Sequence, residues 1–332
     1  MGDGVVASVE TGATAPPPAE RTQGRRRARR LGVLTARLLL TLLGLLTLLF
    51  FLVRLSGDPA GVLAGPSATP DQLAAVRSGL GLDRPLLVQY AAFLGDVVRL
   101  DFGTSVFSGE SALGTALGAL PATLVLLATT MVLSVAIGIP CGVLLDRGGR
   151  VTRAVVGSSM TLAQAVPTFV LGILLIYLFA VRLGWLPSFG SGTPATLVMP
   201  TLALAAFAVA RTARMVAAEL EQVQDQDFLR TAAAKGASPR RILWRHALPN
   251  SFPAVAAALV VEVSYLISGA VVVEVLFAYD GIGKELVDAI FARDYPVVQA
   301  TVFVIGVFVV LVNVVGDGLL RALDPRLARA RA

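Results

Sequence analysis

The sequence has 332 residues, 55% hydrophobic and 15% charged, with mean hydropathy +0.76, which excludes an ordinary soluble domain. Its net charge of +6 sits in short basic loops between long uncharged runs, the pattern of membrane topology and not of a nucleic-acid-binding face. One Cys, Cys141, and one His, His246, exclude a disulfide framework, a thiolate cluster and a His-rich metal site.

Residues 1–30 are rich in Ala, Gly and Pro and end in a basic run, Arg25 to Arg30. They read as a disordered cytoplasmic tail with too little apolar surface to offset ordering entropy. Residues 31–54 read as a first transmembrane helix: its apolar run, Leu38 to Val53, lacks a small-x-small cleavage site, and Arg37 can snorkel at its inner end. Residues 55–112 carry six acidic side chains against three Arg, a balance suited to the outer side. Within them, Thr69-Pro70-Asp71 opens a helix through Arg77, Gly79 to Pro85 is a turn, and Leu86 to Leu100 has helical apolar spacing.

Residues 113–328 read as the membrane core with five further spans. Ser111 to Leu145 contains no charge, enough for a leading segment and a second span. Arg147, Arg150 and Arg153 mark an inner turn, Ala154 to Val181 is the third span, and Leu183 to Pro194 is an outer turn with an interfacial Trp185. The fourth span covers about Ala195 to Ala217, with Arg211 and Arg214 at its inner end. The fifth covers about Phe252 to Phe277, Tyr279 to Pro296 is an outer loop or re-entrant segment, and the sixth covers about Val297 to Leu320 before a basic end. The expected fold is therefore an all-α integral membrane protein with six transmembrane helices, both termini cytoplasmic, and a large external segment between helices 1 and 2.

Between spans four and five lies the most informative stretch, residues 220–250. Arg230-Thr231-Ala232-Ala233-Ala234-Lys235 forms a short small-faced helix that Gly236 stops, because only Gly enters the left-handed region without penalty. After Ala237, Ser238 reads as an N-cap and Pro239 as the first position of a second helix, which runs until Pro249 breaks it. Five basic residues place the stretch in the cytoplasm.

This stretch resembles the signature loop of ABC importer permeases, E-A-A, three residues, G, nine residues, I, one residue, L-P. Gly236 and Leu248-Pro249 stand at that spacing, while Arg230-Thr231-Ala232 and His246 replace E-A-A and I. The replacements are similar to those of the dipeptide, oligopeptide and nickel branch. Gly-Leu-Asp-Arg-Pro (81–85), Asp101 to Ser105, Gly269 to Glu274 and Ala292 to Gln299 extend the likeness, with Asp280-Gly281-Ile282-Gly283 where the branch has Pro-Gly-x-Gly. The resemblance implies a coupling loop that docks on an ATPase subunit. It also implies three kinds of partner: a second homologous permease, two ATP-binding subunits and an external solute-binding protein. The solute would be a peptide, nickel or a similar small molecule. No phosphate loop occurs in this chain, so the resemblance puts ATP on partner subunits. An ordinary basic loop that only sets topology is the bland alternative.

No serine-protease elbow or other catalytic constellation is present, so the chain does not read as an enzyme. An ATP-independent channel or secondary transporter would need inverted repeats or several intramembrane charges, and neither is seen. Glu262 is the sharpest intramembrane residue: an acidic side chain at a span centre costs about 2.5–3.5 kcal/mol on insertion scales. It reads either as a path-lining carboxylate favouring cationic groups or as a protonated partner of Ser264, Tyr265, Ser268 or another subunit. Gln164, Ser264, Ser268 and Asn313 complete the candidate substrate path. Gly138-x-x-x-Gly142 and Gly114-x-x-x-Gly118 could pack helices closely but recur by chance in Gly-rich membrane chains.

Overall fold

The computed structural model describes residues 40–54, 59–65, 68–79 and 81–323. The basic tail 1–30, Arg37, the turn after Arg54 and the basic end beyond Leu323 lie outside these residues. Among the described residues every regular element is a helix, apart from one isolated bridge between Thr104 and Ser111. By its contacts the chain divides at Leu45/Leu46. The first unit contributes only the start of helix α1 (Leu40–Arg54) to the described residues, and every other element belongs to the second.

The segment of residues 55–112 contributes three helices, α2 (Pro59–Ala64), α3 (Pro70–Gly79) and α4 (Leu86–Val98). Aromatic packing of Phe50 on Tyr90 and Phe93 ties the end of α1 to α4, and Arg54 donates to the Gln89 Oε1 at 2.8 Å. Leu46, Val53, Val97 and Phe102 then share a core with Ala112, Ala116, Ile282 and Val298, which anchors the segment to the membrane helices.

Among the described residues four helices are long and apolar enough to cross a membrane: α5 (Ala112–Arg147), α8 (Pro194–Gln224), the run from Pro239 to Leu276, and the one that starts at Tyr295, α13 (Tyr295–Leu323). A bent pair makes up to a fifth, α6 (Arg150–Ala165) and α7 (Thr168–Leu175), the latter continued by a π-helical stretch to Arg182. The leading segment and the second span are thus one 36-residue helix, α5, capped by the Ser111 hydroxyl accepting from Gly114 N–H. The expected third span is not straight: α6 and α7 meet at 99°. The cause is local, since Pro167 forces Val166 out of the helical region to ψ 121°.

Pro249 does not end the second helix of the loop at residues 220–250, contrary to expectation. The chain passes from α10 (Pro239–Ile242) through a π turn at Leu243–Ala247 into α11 (Leu248–Leu276). In that turn Leu248 N–H reaches back five residues to Leu243 O. The wider turn accommodates a proline that has no N–H to give and whose ring would crowd the carbonyl four residues back.

The α5–α8 seam is the most extensive helix packing among the described residues. A Cβ on Gly138 would sit 2.8 Å from Thr212, and one on Gly142 would sit 2.6 Å from Val216. Ser134 and Thr212 share a buried hydrogen bond of 2.8 Å beside them. Gly138-x-x-x-Gly142 therefore merits more weight than the sequence alone gives it. Gly118 meets nothing within 4 Å, so the second pattern packs no helix here.

Candidate functional site

The loop of residues 220–250 is built as two exposed helical pieces on a buried anchor. α9 (Asp227–Ala234) ends at Gly236, whose φ is +79°. Gly236 N–H donates to Ala233 O at 2.9 Å and Ala237 N–H to Ala232 O at 3.1 Å, the paired bonds of a glycine-terminated helix. Ser238 then caps α10 by accepting from Arg241 N–H, with Pro239 at its first turn. Leu229, Leu243 and Ala247 are buried against Val216, Leu220 and Val255. Thr231, Ala233, Ala234, Lys235, Gly236, Ser238, Pro239 and Pro249 are exposed, and Ala232, Ala237 and Leu248 half-buried. Arg230 reaches Asp227 and Asp225 only at 3.9 and 4.0 Å, a solvated pairing worth little. A cavity of about 440 Å³ opens beside the loop, lined by Phe228, Lys235, Arg241, Arg245 and His246 among others.

Mid-span, Glu262 meets Arg211: Nε lies 3.0 Å from Oε2, and the guanidinium carbon stands 4.2 Å from the centre of the Tyr265 ring. α8 continues thirteen residues past Arg211, to Gln224. The Glu262 charge is met by Arg211, so the expected preference for cationic groups loses its footing. The Glu262 Oε1 and the Ser264 hydroxyl are buried without a hydrogen-bond partner. Ser268 is exposed one turn beyond Tyr265 on α11. Gln164 is half-buried in α6, and Asn313 is exposed on α13 with its amide donating to Val309 O at 2.8 Å. The structure thus brings Glu262 together with Arg211 and Tyr265, and among the described residues no hydrogen bond or ion pair joins Gln164 or Asn313 to them.

A second buried carboxylate, Glu274, does not stand out as a site residue in the sequence. Its Oε1 accepts from Thr123 Oγ1 at 2.6 Å, and its Oε2 from Gly283 N–H at 2.7 Å and Lys284 N–H at 3.2 Å. Those donors open α12 (Ile282–Ala292), so the carboxylate closes a helix N-terminus. Gly281 and Gly283 are both needed, since a Cβ on either would fall within 3 Å of the carboxylate. The Gly-x-Gly spacing seven residues after Glu274 is the one sequence signal that points to it. On the far side of α12, Lys284 donates to Asp288 at 2.8 Å, a bond that raises its amine above the ordinary range. Beyond α12, Asp294 accepts from Ser105 Oγ and Val106 N–H and so fastens the external segment to the start of α13.

Residues 138–329 match the family described as binding-protein-dependent transport system inner membrane component, and residues 27–127 match its N-terminal companion. The chain belongs to this family. It is an inner-membrane permease subunit of an ABC importer and not an enzyme; ATP binding in such systems occurs in partner subunits. A "probable peptide ABC transporter permease protein" of Sinorhizobium fredii is 40% identical over 84% of this chain and 92% of its own length. The glutathione transport system permease protein GsiC of Escherichia coli K12 is 36% identical over 86% of this permease and 96% of its own length. The inward-facing MetNI methionine ABC transporter shares the fold at 23% identity, with a TM-score of 0.53 over 63% of this permease and 95% of the matched chain.

Proposed function

We propose that this permease pairs with a second, homologous permease, two ATP-binding subunits and an external solute-binding protein to import peptides or a peptide-like solute. One observation carries the substrate class: relatives that align over more than four-fifths of the chain bear the names of peptide and glutathione transporters. In this reading the chain crosses the membrane six times with both termini inside. Residues 1–30 form an inner tail, 31–54 the first span, 55–112 an external segment, and 113–328 the core. The helix from Leu40 to Arg54 supplies the sixth apolar segment, and the α6–α7 pair counts as one bent span.

The loop from Arg230 to Pro239, closed by Leu248-Pro249, docks in a groove of an ATP-binding subunit and passes the closure of that subunit to α11. The reading is supported by its geometry: a small-faced, exposed helix can be approached closely, and its anchor is continuous with α11 through the π turn. The candidate substrate path takes in the exposed face of α11 at Ser268, with Glu262 and Ser264 beside it and Gln164 and Asn313 as further candidates.

The test is reconstitution of the assembled complex in proteoliposomes with substrate-loaded binding protein. ATP-dependent uptake of di-, tri- and tetrapeptides or glutathione is expected. Uptake of nickel without peptides, or uptake independent of ATP, would overturn the reading.

A further inference from the structure

The mid-span ion pair is one-sided. The Glu262 side chain is 3% exposed and that of Arg211 30%. Glu262 stands behind the guanidinium and Tyr265, itself 58% exposed, lies along its face. Among the described residues no second acceptor meets Arg211, so a guanidinium with five N–H donors uses one of them. Arg211 is the eighteenth of 31 residues of α8 and Glu262 the fifteenth of 29 in α11, far from either helix end. In the six-span reading both residues lie within the bilayer, where an open guanidinium faces water or protein, because acyl chains cannot solvate it. The uncovered stripe beside it runs Val261, Tyr265, Ser268, with hydroxyls interrupting an apolar helix.

We infer that Arg211, and not Glu262, is the charged residue presented to the translocation path, and that it takes the carboxylate of the passing solute. Glu262 is a positioning residue: it holds the guanidinium by Nε and leaves the two terminal nitrogens to form the bidentate fork that suits a carboxylate. Tyr265 stacks on the cation and keeps its plane fixed. The inference rests on the peptide reading for the identity of the solute, since peptides and glutathione both carry carboxylates, but the anion site itself does not depend on that reading.

The experiment has two arms, both in the assembled complex with Cys141→Ser. In the first, Ser268→Cys is labelled with a sulfonate-bearing and a trimethylammonium-bearing methanethiosulfonate. Relative to each reagent's rate with a free thiol, the anionic reagent is expected to react faster by roughly threefold, the size of an exposed charge interaction. That preference should vanish in Arg211→Gln/Glu262→Gln, which removes both charges and leaves none unpaired. In the second arm, binding protein is saturated with a peptide bearing either a free carboxylate or a C-terminal amide, so that its own preference drops out of the turnover. The wild type should turn over the free carboxylate faster, and the double variant should turn over both alike.

A cysteine at 268 that neither reagent reaches, or a double variant that keeps both preferences, overturns the proposal. Arg211→Lys guards against misassembly. It keeps the ion pair without the fork, so it should keep the labelling preference and lose most of the carboxylate preference. A Lys variant that transports like the wild type counts against the proposal. If the wild type moves no peptide of either kind while the labelling arm behaves as expected, the peptide reading falls and the anion site stands.

Discussion

Thr123 and Glu274, 151 residues apart, share a 2.6 Å hydrogen bond with no solvent access to the carboxylate. The Thr123 oxygen also accepts from Ile282 N–H at 2.8 Å, so one hydroxyl joins α5, the end of α11 and the start of α12. Gly281 and Gly283 leave the space in which this junction closes.

That relationship makes a coupling prediction. Gly281→Ala places a Cβ 2.2 Å from the Glu274 carboxyl carbon and should destabilise by about 1–3 kcal/mol. Glu274→Ala leaves the Thr123 hydroxyl and two N–H donors unmet and should cost about 1–3 kcal/mol for each buried one. With Glu274 already truncated, the same Gly281→Ala should cost much less. A thermal-unfolding cycle on the purified complex checks this; additive losses would show that the two residues act independently.

The α5–α8 seam makes a second prediction. Gly142→Ala meets both Val216 and the Ala213 carbonyl and should lower thermal stability by about 1–3 kcal/mol, with Gly138→Ala similar. Gly118→Ala, on the same helix with open space around it, should be neutral or slightly stabilising. Fluorescence-detected size exclusion after graded heating separates the three.

Gly236 should matter for coupling more than for folding. No atom lies within 4 Å of its would-be Cβ, so the only obstacle to substitution is the +79° φ, which costs a side-chain-bearing residue about 1–2 kcal/mol. Gly236→Val should therefore insert normally yet lose solute-stimulated ATP hydrolysis, whereas Gly236→Asn should keep much of it, because Asn tolerates the left-handed region. Equal stimulation in the Val variant would return the loop to a purely topological role.

How far these features could be read from the chain depended on how local their causes are. Gly236 and Ser238 were legible because a left-handed stop and an N-cap are decided by the residue itself. The bend at Pro167 was hidden inside an apolar window, although the restriction a proline places on the preceding residue pointed to it. The extent of α8 was missed because charged residues beyond Ala217 look like loop until Leu220 is seen packed on Leu243 and Val255. Glu274 and Arg211 needed the tertiary fold: each is explained by a partner more than 50 residues away in sequence. Thr123 and Glu262 carry no mark in the sequence that says which partner they find.

The last prediction concerns orientation. Ser108 is exposed in the external segment, three residues from the Ser105–Asp294 bond that holds this region to α13. Ser238 is exposed in the loop after Gly236. The two lie on opposite sides of the membrane if acidic and basic residues divide as the charge bias requires. In a Cys141→Ser background, Ser108→Cys should react with an impermeant maleimide in intact cells, and Ser238→Cys only after permeabilisation. Neither substitution removes a buried bond, since the Ser108 hydroxyl accepts only from the exposed Glu110 N–H and the Ser238 cap is solvent-facing. Comparable labelling of both in intact cells would leave too few crossings between them, and the reverse pattern would invert the whole arrangement.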